Sequence, residues 1–251
     1  MIMKNIRFIN IKQFMLITSS LGISSVSNAA LFDCVSEAGY CIGEGNTVIF
    51  KYAGTTSSIG LFGTVEVIGD SIVSFPTDFR AESVDGEGTA LLSDNGTVQV
   101  IAKSGYQIDG VNIKEIGDYL MTGAGSTVDV DGWSKIYDWN NILFGESVQQ
   151  NLDITGDLTI IDSSTHTWDA ATSFDLTGSN WDGINHIGLQ LQNNLSAYTS
   201  ADGDIAWIEK KITGGSIDFS VATTVIPVPA AVWLFGSGLL GLAGMARRKS
   251  A

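Results

Sequence analysis

Positive charge is scarce in this chain and unevenly placed. Its 251 residues hold 13 Lys or Arg against 27 Asp or Glu. Six of the 13 stand at the two ends, as Lys4, Arg7 and Lys12 and as Arg247, Arg248 and Lys249. Residues 31–225 keep seven basic against 27 acidic side chains, a formal charge of −20. That balance excludes nucleic acid as a partner, because phosphates need a Lys/Arg surface to release their counterions. Histidine is almost missing: His166 and His186 stand alone in polar, turn-like surroundings without ligand spacing, and both read as surface residues. No G-x-S-x-G, H-E-x-x-H, P-loop or C-x-x-C occurs, so the common nucleophile, metalloprotease, nucleotide and redox signatures are absent. Gly123-Ala124-Gly125 precedes a strand pattern instead of a helix and reads as a turn, not a phosphate loop. A sustained 3.6-residue period is lacking across 31–225, as is any fixed repeat, which argues against a solenoid.

What is present is a period of two. Val98, Val100 and Ala102 share one face, as do Ile217, Phe219 and Val221, and Leu189 and Leu191 alternate with Gln190 and Gln192. This is the pattern of half-buried antiparallel strands. Further strands are expected over 47–52, 63–68, 71–75, 111–116, 127–131, 151–161 and 205–211, with one short helix over 140–150. Turns are expected at Asp85-Gly86, Asn95-Gly96, Ser104-Gly105, Asp109-Gly110, Asp131-Gly132, Gly156-Asp157, Asp182-Gly183, Asp202-Gly203 and Gly214-Gly215. Residues 30–225 therefore read as one all-β domain, an antiparallel β-sandwich or jelly-roll-like fold, long enough for a substantial core.

The ends read as addresses. Residues 1–29 run from a basic start through the apolar stretch 14–26 to Ser27-Asn28-Ala29, the anatomy of a secretory signal peptide. At the other end, residues 230–246 are 17 positions without a charge, followed at once by Arg247-Arg248-Lys249. As a helix at ~1.5 Å per residue they would span about 26 Å, just short of a bilayer's hydrocarbon layer. The basic trio would hold the carboxyl end in the cytoplasm. Two of the three prolines stand immediately before, in Pro227-Val228-Pro229-Ala230, and form a stiff extended stalk.

The order Pro227-Val228-Pro229-Ala230, then Trp233-Leu234-Phe235-Gly236-Ser237-Gly238-Leu239-Leu240-Gly241, then the Arg cluster resembles the PEP-CTERM sorting signal read by exosortases of Gram-negative bacteria, in its V-P-x-P-A variant. Val228 stands where the name-giving motif has Glu, and Ile226 where the variant has Val. The resemblance implies an exported protein held briefly in the inner membrane, processed by an exosortase-like enzyme and delivered to the cell surface or matrix, in the company of exopolysaccharide. Internal segments at Gly105-Tyr106, Glu115 to Tyr119, Gly123 to Ser126 and Ile208 to Lys211 are similar to β-rich exported domains ahead of such tails, and imply no catalytic residue.

Cys34 and Cys41 are the only cysteines; outside the cytoplasm they are expected to close a small-loop disulfide. Asp129 with Asp131, and Asp202 with Asp204, place carboxylates two apart, hard oxygen ligands that would suit Ca²⁺; no other metal or cofactor is indicated. Trp133, Tyr137 and Trp139 cluster, with Trp168 and Trp181 further on, and an exposed row of such rings would stack against sugars. The reading is an exported, non-catalytic surface or matrix protein. A glycan-binding module, Ca²⁺-assisted or not, and a secreted polysaccharide hydrolase stand beside it.

Overall fold

A computed structural model of the chain describes residues 29–35, 37–210 and 216–227. Its strands are β1 (Ala30–Leu31), β2 (Asp33–Val35), β3 (Tyr40–Glu44), β4 (Val48–Ala53), β5 (Thr64–Ile68), β6 (Ser71–Phe75), β7 (Arg80–Val84) and β8 (Gly88–Ala102). There follow β9 (Tyr106–Thr122), β10 (Thr127–Asp138), β11 (Ser147–Asn151), β12 (Asp153–Thr155), β13 (His166–Asp175), β14 (His186–Thr199), β15 (Ile205–Lys210) and β16 (Ile217–Val225). Among the described residues only single 3₁₀ turns interrupt them, at Gly60–Phe62, Trp139–Asn141 and Ser179–Trp181.

All pairings are antiparallel and fall into two sheets. One runs β1-β5-β6-β16-β9-β13-β12, with β15 on the far half of β9 and β7 beyond it. The other runs β11-β10-β14-β8-β4-β3-β2. The inward residues of both sheets meet in one core, the arrangement of a β-sandwich. The alternation expected from the sequence holds. Val98, Val100 and Ala102 point in, as do Leu189 and Leu191 and the set Ile217, Phe219 and Val221. Burial of each of these Val, Leu, Ile and Phe side chains contributes roughly 1.5–3 kcal/mol.

Several strands outrun their expected spans, because three of the expected turns lie inside them. Asn95-Gly96 is in the middle of β8, Asp109-Gly110 in β9 and Asp131-Gly132 in β10. None of these glycines has a positive φ; each instead permits a close approach. A Cβ at Gly96 would stand 3.2 Å from Ile59 and 3.3 Å from Phe62, whose loop packs on it, and one at Gly110 would stand 2.7 Å from the Phe174 carbonyl. By contrast Gly86, Gly105, Gly156, Gly183 and Gly203 do turn the chain in the left-handed region.

The helix expected over 140–150 is corrected to one 3₁₀ turn at Trp139–Asn141, which Asp138 caps through Asn140 N at 2.9 Å, followed by strand β11. Ser147–Asn151 pairs instead with Trp133–Tyr137 of β10. The strand expected over 151–161 is cut short after Thr155 by Gly156 at φ 108°, and the Asp157 carboxylate then accepts from Thr159 N at 2.9 Å in a local turn. Cys34 and Cys41 stand directly opposite each other in the β2–β3 hairpin and form the expected disulfide. Among the described residues no helix is long and apolar enough to cross a membrane. The signal peptide up to position 28 and the tail Val228, Pro229 and Ala230, Trp233 to Gly241 and Arg247 to Lys249 lie outside the described residues; Pro227, exposed, is the last one inside.

Candidate functional site

The outer face of the seven-stranded sheet is built by strict alternation. Residues 128, 130, 134 and 136 of β10 and 187 to 199 of β14 at odd positions enter the core, so the intervening side chains line the outside. The pairing register then sets them in rows across the sheet. Trp133 faces Gln192, which faces Asn95; Lys135 faces Gln190 and then Thr97; Asp131 faces Asn194 and then Ser93. On β11, Asn151 and Gln149 extend the first two rows. The face is thus a ladder of side-chain amides, each offering both donors and an acceptor. Part of it is already fixed: Ser93 Oγ donates to Asn194 Oδ1, and Asn194 Nδ2 donates to Asp131.

The row nearest the β10–β11 connection carries aromatic rings. Tyr137 lies opposite Gly188, and a Cβ on that glycine would come within 2.6 Å of Tyr137 Cε2 and Oη, so the ring covers the position that Gly188 leaves bare. Tyr137 stacks on Trp139 at 5.9 Å between centroids, and Trp139 stacks on His186 at 5.8 Å, with interplanar angles of 29° and 25°. His186 donates from Nε2 to Gln99 Oε1 at 3.1 Å. Burial holds the His186 imidazole below its ordinary pKa, the Lys51 charge adds to that, and Asp138 opposes it. The stack is therefore neutral at pH 7. Lys51 in turn sits over the Tyr40 ring at 4.0 Å, continuing the aromatic row across β4 and β3. Beyond Trp139 the chain exposes Ile142, Leu143 and Phe144, the last at 89%.

The structure sorts the residues singled out from the sequence. Trp133, Tyr137 and Trp139 do share the outer face, half-buried. Trp168 and Trp181 do not: both are buried in the core, at 0% and 8% exposure, and are removed from the aromatic row. His186, read as an isolated surface residue, is the third ring of the stack; only its register opposite Ile101, invisible without the pairing, places it there. His166 lies on the other sheet, bonded to Asp162 at 2.8 Å and beside the Tyr119 ring.

Asp129 and Asp131 lie on the same outer face of β10, and the Asp129 carboxyl is pushed above the usual range by burial and by Asp131. Asp202 and Asp204 part company: Asp202 is exposed, whereas Asp204 is buried among the main chain of Gly123 and Gly125, where no Cβ could fit. The glycines of that turn thus make room for a carboxylate of this chain. Among the described residues no three His, Cys, Asp or Glu side chains come together as a metal-holding group.

No protein-family model matches the chain, and no curated protein does. Among solved structures it is similar to TmCBM61, in a complex with β-1,4-galactotriose, at 12% identity and a TM-score of 0.18, over 58% of this chain and 88% of that one. It is also similar to the VP2 subviral particle of infectious bursal disease virus, at 11% identity and a TM-score of 0.22, over 72% of this chain and 53% of that one. Likeness at this level assigns neither family nor ligand.

Proposed function

We propose that the chain is an exported, non-catalytic surface or matrix protein that binds a polysaccharide along the outer face of its seven-stranded sheet. The observation that carries this reading is the Tyr137–Trp139–His186 stack beside the amide ladder of Gln99, Gln190, Gln192, Asn194 and Asn95. Sugar rings present apolar C–H faces that stack on aromatics, and hydroxyls that both donate and accept, as side-chain amides do. With a formal charge of −20 over 31–225, the domain would repel a polyanion at low salt, so the ligand is a neutral polysaccharide. Asp129 and Asp131 lie on the same face, where Ca²⁺ could assist binding.

Export and sorting rest on the sequence of the two ends: a signal peptide, transient anchorage in the inner membrane, and removal of the tail by an exosortase-like enzyme that reads Pro227 to Ala230. Affinity electrophoresis through gels containing neutral glucan, galactan or mannan, with and without Ca²⁺, tests the binding. Retardation by at least one neutral polymer, together with a rise in melting temperature in its presence, is the expected result. Migration unchanged in all of them would overturn the reading. Sorting is tested separately by intact mass in host fractions with and without the enzyme: a chain still ending at Ala251 in the inner membrane would refute it.

A further inference from the structure

Three core-facing positions near the middle of the sandwich hold polar residues where alternation calls for apolar ones. Glu115 stands between Ile113 and Gly117 on β9, Lys210 follows Ala206 and Ile208 on the inward row of β15, and Asn193 lies between Leu191 and Leu195 on β14. All three are at most 1% exposed. They come from both sheets and meet at one carboxylate. Lys210 Nζ donates to Glu115 Oε2, and Asn193 Nδ2 donates to Glu115 Oε1 at 3.0 Å. Two aromatic rings enclose the ammonium, Trp168 at 5.1 Å and Phe79 at 5.4 Å. Two polar atoms of this cluster are buried without a partner, Asn193 Oδ1 and Trp168 Nε1.

As a stabilising device this arrangement is a poor one. The desolvation of two buried charges can exceed their attraction, and an apolar pair of similar volume often serves better. As a reactive arrangement it gathers an amine, an amide and a carboxylate shared between them. A lysine desolvated in an apolar site is an activated amine nucleophile. Burial lowers the Lys210 pKa, against the opposing pull of Glu115. The attacking nitrogen and the nitrogen that would depart are bonded to the two oxygens of the same carboxylate, the place from which a proton can pass from one to the other.

We infer that Lys210 and Asn193 condense into an intramolecular amide that links the two sheets, with Glu115 as the proton carrier. The Lys210 ammonium first gives a proton to Glu115. The free amine then attacks Asn193 Cγ, the Nζ–Cγ bond forms, the Cγ–Nδ2 bond breaks, and Nδ2 leaves as ammonia. Of the three ammonium protons, one stays on the new amide, one goes to the departing nitrogen and one remains on Glu115. Charge is conserved, and neither oxidant nor cofactor is needed. The product replaces a buried ion pair by neutral groups, which removes the desolvation cost that holds the reactants high. This inference is independent of what the outer face binds.

The test is peptide mapping of the full chain, purified folded and digested by a protease that cuts before Asp. Residues 182–201 carry Asn193 and residues 204–217 carry Lys210, with no Asp inside either peptide beyond its first position. The expected product is one branched species lighter than the two peptides together by a single ammonia, about 17 Da. Fragmentation should place the link on Asn193, not Asn194. In Glu115→Gln, checked for native circular dichroism, the peptides should separate, because a neutral amide cannot carry the proton. A second preparation, recovered from inclusion bodies in urea and then refolded, should acquire the link only on refolding. Two free peptides at full mass from the folded wild type would overturn the inference. A link formed in urea, or at undiminished yield in Glu115→Gln, would overturn the assigned role of the fold or of Glu115.

Discussion

The Tyr137 ring lies over Gly188 on the neighbouring strand, within 2.6 Å of where a Cβ would stand. The glycine is thus part of the proposed platform although it has no side chain to offer a ligand. In Gly188→Ala the ring must lift from the sheet and leave Trp139. A cost of about 1–3 kcal/mol in stability is expected from the overpacking. Retardation in polysaccharide gels should fall with it, while the strand signal in circular dichroism stays. Unchanged retardation by Gly188→Ala would show that the ring is not used.

Trp139 joins Tyr137 to His186, so its removal takes two stacking contacts at once. Trp139→Ala should weaken binding to the retarding polymer by about tenfold or more, equivalent to ~1.4 kcal/mol. Because Trp139 is half-buried on a single 3₁₀ turn at the edge of the sheet, unfolding in urea should change far less than binding does. Trp168→Ala should do the reverse: it empties a fully buried core site, at a cost of about 3–5 kcal/mol.

His186 makes the platform sensitive to acid. Its folded pKa lies below the free value of about 6.5, so between those two values the unfolded chain holds a proton that the folded chain does not. The stability contributed by neutral His186 is therefore complete above pH 6.5 and is lost as pH falls through that window. A charged ring would also be repelled by Lys51. Melting curves of wild type and His186→Phe between pH 7.5 and 5 should diverge in slope, with the wild type losing more; parallel curves would count against the assignment.

The disulfide ties β2 to β3 at the far edge of the same sheet, with β4 and β8 between it and β14. Reduction, or a Cys34→Ser/Cys41→Ser double variant, should cost about 2 kcal/mol and lower the melting temperature by roughly 5 °C. Binding should be untouched, because neither cysteine touches the Tyr137–Trp139–His186 stack, and Tyr40, the ring on this hairpin, is separated from it by β4 and β8. A loss of retardation on reduction would mean that the two ends of the sheet are coupled.

Period-two alternation is a local signal, and it was enough to place the inward rows of β8, β14 and β16 and to give the all-β class. The site was legible only in part. Trp133, Tyr137 and Trp139 lie within seven consecutive positions, so their clustering is visible along the chain. Trp168 has the same residue type on an inward position of β13, and type alone cannot tell the two faces of a sheet apart. His186 becomes a third ring through pairing between strands that are distant in sequence. The glycines at 96, 110 and 132 read as turns because a turn and a close interstrand approach both ask for a residue without a side chain. Glu115, Asn193 and Lys210 are 78 and 17 positions apart in turn, and only the packing of one sheet on the other brings them to one carboxylate.

The last hydrogen bond that ties the described chain to the sandwich runs from Ile226 N to Gly105 O at 2.8 Å, one residue ahead of Pro227. The last described tie of the fold and the start of the proposed processing motif thereby meet at a single peptide. A cut anywhere after Pro227 severs no described strand and uncovers no described core residue, so the domain should melt at the same temperature before and after release. On the proposed sorting route, the chain would be finished and sealed as a fold while still tethered, and let go without being reopened.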